Sequence, residues 1–130
     1  MMKILLAPDS FKGSLSSSDI CKAYKEGILK AIDADIIEMP IADGGEGTID
    51  AIATSTKCEI INISVTGPLG EQVNSCYGIL KDGTAVIEMA ECSGLCLVPD
   101  KKRNPLITTT YGVGEILKSA LDKDCRNFII

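Results

Sequence analysis

Two apolar runs, each halted by a proline and separated by one helical stretch, constrain the fold of this chain more tightly than any other feature. KILLA at residues 3–7 stops at Pro8, and DIIEMP at 35–40 stops at Pro40, the pattern of short buried strands. Between them Ser16 and Asp19 form an S-x-x-D capping box ahead of Ile20, Ala23, Tyr24, Gly27, Ile28, Ala31 and Ile32, which share one helix face. A glycine-rich loop then leads into a second helical stretch with Ile49, Ile52 and Ala53 on one side. Strands alternating with helices predict an α/β fold with a parallel sheet covered on both faces.

The rhythm changes at residue 58. CEIINISVTG and EQVNSCYGIL read as strands joined by GPLG, and KDGT makes a tight Asp-Gly hairpin into AVIEMA, a third strand. The spacing predicts a first α/β segment over 1–57, an antiparallel excursion over 58–98, and a return to the α/β sheet over 99–130. In that last segment Val113, Ile116, Leu117, Ala120 and Leu121 have helical spacing, with Thr109 or Thr110 as cap. The overall expectation is a Rossmann-like, mostly parallel sheet flanked by helices. CRNFII would be a final strand, and because the carboxyl end of a strand carries the functional loop in such folds, the chain is expected to be the front part of something longer. A sheet edge left open there would favour pairing into a homodimer.

Composition removes several classes of function. A chain of 130 residues suits one ordinary domain, and a net charge of −5 with no basic stripe argues against nucleic acid as partner. The densest basic run is Lys101, Lys102 and Arg103, which a solvated turn also explains. No apolar run approaches the roughly 20 residues of a membrane span, and MMKILLAPD lacks the form of a signal peptide, so a cytoplasmic protein without a membrane partner is expected. The six cysteines are scattered without a C-x-x-C pair and read as free thiols in apolar positions. There is no histidine, which excludes Ser-His-Asp and Cys-His catalysis and His-containing zinc sites. Any chemistry must use carboxylates, hydroxyls, lysine, arginine and backbone amides.

Three loops hold those groups where strands end. PDSFKGS at 8–14 offers Asp9, Ser10, Lys12, Gly13 and Ser14 ahead of a helix whose positive end favours an anion, although it lacks Walker A spacing and equally suits an Asp-Ser turn with a surface lysine. IADGGEGTID at 41–50 places Asp43 and Glu46 around Gly44 and Gly45. Its carboxylates would hold Mg²⁺ through water or orient a hydroxyl, or would simply complement a helix dipole. RNPLITTTYGVGE at 103–115 offers Arg103 as a carboxylate clamp and Thr109 at a helix start, where an ordinary N-cap is the plain alternative. Glu88 and Glu91, beside a strand end, are secondary acids. Together these loops suit phosphoryl transfer, which needs positioning and charge neutralisation rather than a histidine.

These stretches resemble the bacterial glycerate kinase family. The likeness runs in order through APDSFKGSLS at 7–16, PIADGGEGT at 40–48, GPLG at 67–70, IEMAECSGL at 87–95 and VPDKKRNPLITTTYGVGE at 98–115. It implies ATP- and Mg²⁺-dependent phosphorylation of a hydroxyl of D-glycerate, with this chain as the N-terminal part of a larger two-domain kinase. It further implies Lys12 for the phosphate or substrate carboxylate with Asp9, Ser10 and Ser14 nearby, Asp43 and Glu46 for the metal or attacking hydroxyl, Gly44 and Gly45 for close approach, and Arg103 and Thr109 for substrate contact. The rival readings are a non-catalytic anion-binding or structural module, and a kinase for another small hydroxy acid.

Overall fold

The computed structural model of the chain describes residues 1–11 and 13–130; Lys12 lies outside the described residues. Strand β1 (Met2–Leu6) pairs in parallel with β2 (Ala34–Glu38), Leu6 opposite Glu38, and helix α1 (Ser17–Ala31) makes the crossover. The capping box forms as its residues dictate. The Ser16 hydroxyl accepts from the Asp19 amide at 3.1 Å and donates to Asp19 Oδ2 at 2.8 Å, satisfying a helix-end amide that has no partner within the helix.

The burial of α1 departs from the predicted face. Ser17, Ile20 and Cys21 are the buried positions, whereas Tyr24 and Ile32 remain 47% and 43% exposed. Two strands roughly 5 Å apart cover only one strip of a helix about 10 Å across, and that strip is the one carrying Cys21, whose Sγ donates to the Leu6 carbonyl at 3.7 Å. Lys25 ties the same side to Glu38 at the end of β2.

The second sheet runs in the order β3 (Cys58–Thr66), β4 (Gln72–Leu80), β5 (Thr84–Val86), β6 (Asn127–Ile129). The β3–β4 hairpin is antiparallel from Cys58↔Leu80 to Thr66↔Gln72, β4–β5 is antiparallel, and β5–β6 is parallel. The fold is therefore α/β with mixed pairing. The last segment does not rejoin β1 and β2 as the sequence pattern suggests: helix α4 (Tyr111–Asp122) carries the chain back across the second sheet, so that β6 lands beside β5.

The strand predicted from AVIEMA also stops early. Ile87 N still donates to Ile129 O at 2.8 Å, but Met89–Ser93 coil into a short helix, α3, closed by Gly94 N donating to Ala90 O. Alternation sorts the two faces of this region. Val65, Tyr77, Ala85 and Ile87 join Ile116 and Ala120 of α4 in the core. Val86 and Glu88 turn to the other side, where helix α2 (Thr48–Ser55) packs against β3 and β4.

Candidate active site

The carboxyl edge of the β1–β2 pair is where loops can gather, and here the backbone gathers two of them. Beyond the last paired residues, Met39 N donates to Leu6 O at 2.8 Å and Ile41 N to Pro8 O at 3.1 Å. The loop after β1 and the loop after β2 therefore leave side by side. A cleft of about 300 Å³ lies between them, lined by Ser10, Phe11, Ser14, Ser17, Glu46, Asp50 and Glu91, among others.

Within the first loop Asp9 Oδ1 accepts from the Ser10 amide at 2.7 Å, and Phe11 bridges to Leu15 across a tight turn, leaving Ser14 exposed beside the cleft. In the second, Asp43 Oδ1 accepts from the Gly45 amide at 2.9 Å, an Asx turn that spends one carboxylate oxygen and leaves the other. Glu46 is exposed and lines the cleft. Gly44 and Gly45 form the bend between these two acids, with Gly44 at φ 96°.

Helix α2 starts without a capping side chain of its own. Its N-cap is Gly47, held at φ 91°, a left-handed conformation that any other residue adopts only with strain. The cap comes from across the molecule: Glu88, only 2% exposed, accepts from Gly47 N through Oε1 at 2.8 Å and from Ile49 N through Oε2 at 3.1 Å. A carboxylate at a helix N-terminus meets both the unpaired amides and the positive end of the dipole. Partial shielding from water first, then the carboxylates of Glu88, Asp50 and Glu46, push the neighbouring Glu91 carboxyl above the usual glutamate range, although its side chain still reaches the surface of the cleft.

The third loop faces elsewhere. Arg103 and Thr109 line a separate cleft of about 630 Å³ with Pro68, Met89, Ser93 and Asn104. Arg103 is partly committed, its Nε donating to Val98 O at 3.2 Å and its guanidinium pairing with Asp100 at 2.9 Å. Thr109 Oγ1 accepts from Tyr111 N, and Thr109 N donates to Pro68 O. Helix α3 forms the wall between the clefts, since Glu91 lines one and Met89 and Ser93 the other. A wider hollow of about 860 Å³ at the far end of α2 gathers none of the loop residues.

Asp43 and Glu46 are hard oxygen donors, the kind that magnesium takes through one or two carboxylates while water and phosphate supply the rest. Among the described residues no three Asp, Glu or Cys side chains converge into a self-contained metal cage. Glu46 lines the cleft while Asp43 lies outside its lining on the same loop, a donor pair that suits a metal bringing water and phosphate as its other ligands. The sequence pattern marks Glu88 only as a secondary acid, whereas the structure makes it the anchor of α2. The alternation through Thr84, Val86 and Glu88, which puts an acid on a covered sheet face, was the available signal.

An α/β scaffold with acidic and hydroxyl-bearing loops at the carboxyl edge of a parallel pair is an architecture suited to small ligands. The glycerate kinase family model matches residues 4–130, and the chain belongs to that family. It is 52% identical to the glycerate kinase of Bacillus subtilis and 50% identical to the glycerate 2-kinase of Escherichia coli, each alignment covering 99% of this chain and 34% of the relative. A solved Salmonella typhimurium LT2 protein assigned as glycerate kinase 2 superposes with a TM-score of 0.79 at 46% identity, covering 100% of this chain and 36% of that one. The chain thus spans about a third of the length of the curated relatives it matches.

Proposed function

We propose that the polypeptide containing this chain phosphorylates a hydroxyl of D-glycerate with ATP and Mg²⁺. The observation that carries the reading is the pairing of Met39 with Leu6 and of Ile41 with Pro8, which lays the two candidate loops along one cleft. Magnesium-bound ATP would supply the transferable phosphoryl group and neutralise charge on it. Ser10 and Ser14 would donate to anionic oxygens, and Lys12 would add a cation from the same loop. Glu46 would orient or accept a proton from the attacking hydroxyl, and Asp43, with one oxygen unspent, would hold the metal with it. Gly44 and Gly45 would allow the ligand close to the backbone. Arg103 and Thr109 would act on substrate only from the adjoining cleft, beyond α3. Six cysteines, none in a disulfide, are in keeping with a reducing, cytoplasmic setting.

The test is ATP turnover by the full-length protein over a panel of small hydroxy acids, followed by Lys12→Ala and Asp43→Asn. D-glycerate is expected to give the highest kcat/KM, and each substitution to lower kcat by about 10²-fold or more. Clear turnover of another hydroxy acid with none of glycerate would refute the substrate. Near-normal rates in both folded variants would refute the site.

A further inference from the structure

We infer that Glu88 is a positioning residue for the reaction, setting the direction of Glu46 by clamping the peptide that follows it; this rests on the kinase reading above. A carboxylate buried to 2% exposure needs partners that compensate its lost hydration. None of the ion pairs among the described residues involves Glu88. Its compensation comes instead from two backbone amides, one on each oxygen, belonging to Gly47 and Ile49. Each oxygen is thereby engaged by a backbone amide, and at this burial Glu88 presents almost no surface to a substrate.

The two bonds act on the residues whose placement the chemistry needs. Gly47 N belongs to the peptide unit whose carbonyl is that of Glu46, so a bond to this amide fixes the plane from which the Glu46 side chain departs. The second bond, to Ile49, prevents rotation about the first. Glu88 lies just past β5 in the second sheet, whereas the clamped loop leaves β2 in the first, and 41 and 39 residues of chain separate the partners. The clamp consequently fixes the acidic loop relative to a second element of the fold, including Glu91 on α3, which lines the same cleft.

The test uses the full-length protein with Glu88→Gln and Glu88→Ala. Glutamine keeps the shape but replaces one acceptor oxygen by an NH₂ group that faces a donor. Amide hydrogen exchange at Gly47 and Ile49 should quicken in both variants, while Ile116 and Ala120 in the core stay protected. The kcat should fall about 10- to 100-fold, as for misplacement of a reacting group by an ångström. The KM for glycerate should move only a few-fold, and half-saturating Mg²⁺ should rise. Unchanged exchange at Gly47 and Ile49 in a folded variant overturns the clamp. Unchanged kcat and Mg²⁺ dependence, with faster exchange in an active protein, overturns the positioning role. If the wild-type protein turns over no glycerate, the kinase reading fails on its own account, and the exchange arm still decides the clamp. Should Glu88→Ala not fold, Glu88→Gln carries all four readouts.

Discussion

Two glycines in the first turns of α4 offer a test in which helix propensity and packing predict opposite signs. A Cβ on Gly114 would meet nothing within 4 Å, whereas a Cβ on Gly112 would sit on the Thr66 carbonyl oxygen, well inside van der Waals contact, and 3.1 Å from Val65 Cγ2. Gly114→Ala should therefore gain about 0.5–1 kcal/mol from reduced backbone freedom in the unfolded chain and better helix propensity. Gly112→Ala has the same gain but must push α4 away from the end of β3. Overpacking of this kind costs about 1–3 kcal/mol, which leaves a net loss of up to about 2.5 kcal/mol. The junction has little room to yield, because Glu115 Oε2 accepts from Thr66 N at 2.6 Å and Thr109 N donates to Pro68 O at 3.0 Å. Denaturant unfolding of the two variants and wild type, in the full-length protein, reads the difference directly. A midpoint for Gly112→Ala at or above that of Gly114→Ala would show that α4 does not approach β3 as closely as described.

Ser16→Ala should cost about 1 kcal/mol, the usual loss for an N-cap side chain, measured by the same unfolding experiment. Glu91→Gln should stabilise the protein at neutral pH. A carboxyl whose pKa is raised by folding binds its proton more tightly in the folded state, so its contribution favours the fold below the usual glutamate range and is lost as pH rises through and above that range. The variant lacks that loss. Its advantage should therefore disappear on acidification below the usual glutamate range, and an advantage equal at both pH values would show that neither the burial of the charged form nor repulsion from Glu88, Asp50 and Glu46 is its source.

The parts of this fold that local chemistry determines were legible in the sequence. Ser16 and Asp19 specify a helix start with no help from the rest of the chain, and the alternation in Cys58–Thr66 places Ile61, Ile63 and Val65 on the core side of its strand. What was not legible depends on partners distant in sequence. The apolar residues of α1 were countable, but which strip two strands would cover was not, so Tyr24 and Ile32 stand exposed. The final strand was recognisable from NFI, yet only the path of α4 decides that it pairs with β5 rather than with β1 or β2. Among the candidate site residues, Asp43 and Glu46 stand out within one loop of the sequence. The use of Glu88 could not, because a carboxylate captured by amides about 40 residues away leaves no local spacing to detect.

The electrostatics of the cleft make one further outcome calculable. Glu46, Asp50 and Glu91 line it, and none of its described lining residues is basic. Phosphate and a substrate carboxylate would bring further negative charge, and at an effective dielectric of about 20 each pair of unit charges ~10 Å apart repels by about 1–2 kcal/mol. Backbone amides and hydroxyls orient an anion, and the single positive charge that Lys12 would add does not cancel three carboxylates. ATP alone should consequently bind the full-length protein at least about tenfold more weakly than magnesium-bound ATP, since 1.4 kcal/mol corresponds to a factor of ten. Calorimetric titration with and without Mg²⁺ measures the ratio. Asp50→Asn, which removes one of the lining charges, should narrow it by strengthening the binding of free ATP. Equal affinities for the two forms, in protein that turns over glycerate, would place the nucleotide away from this cleft.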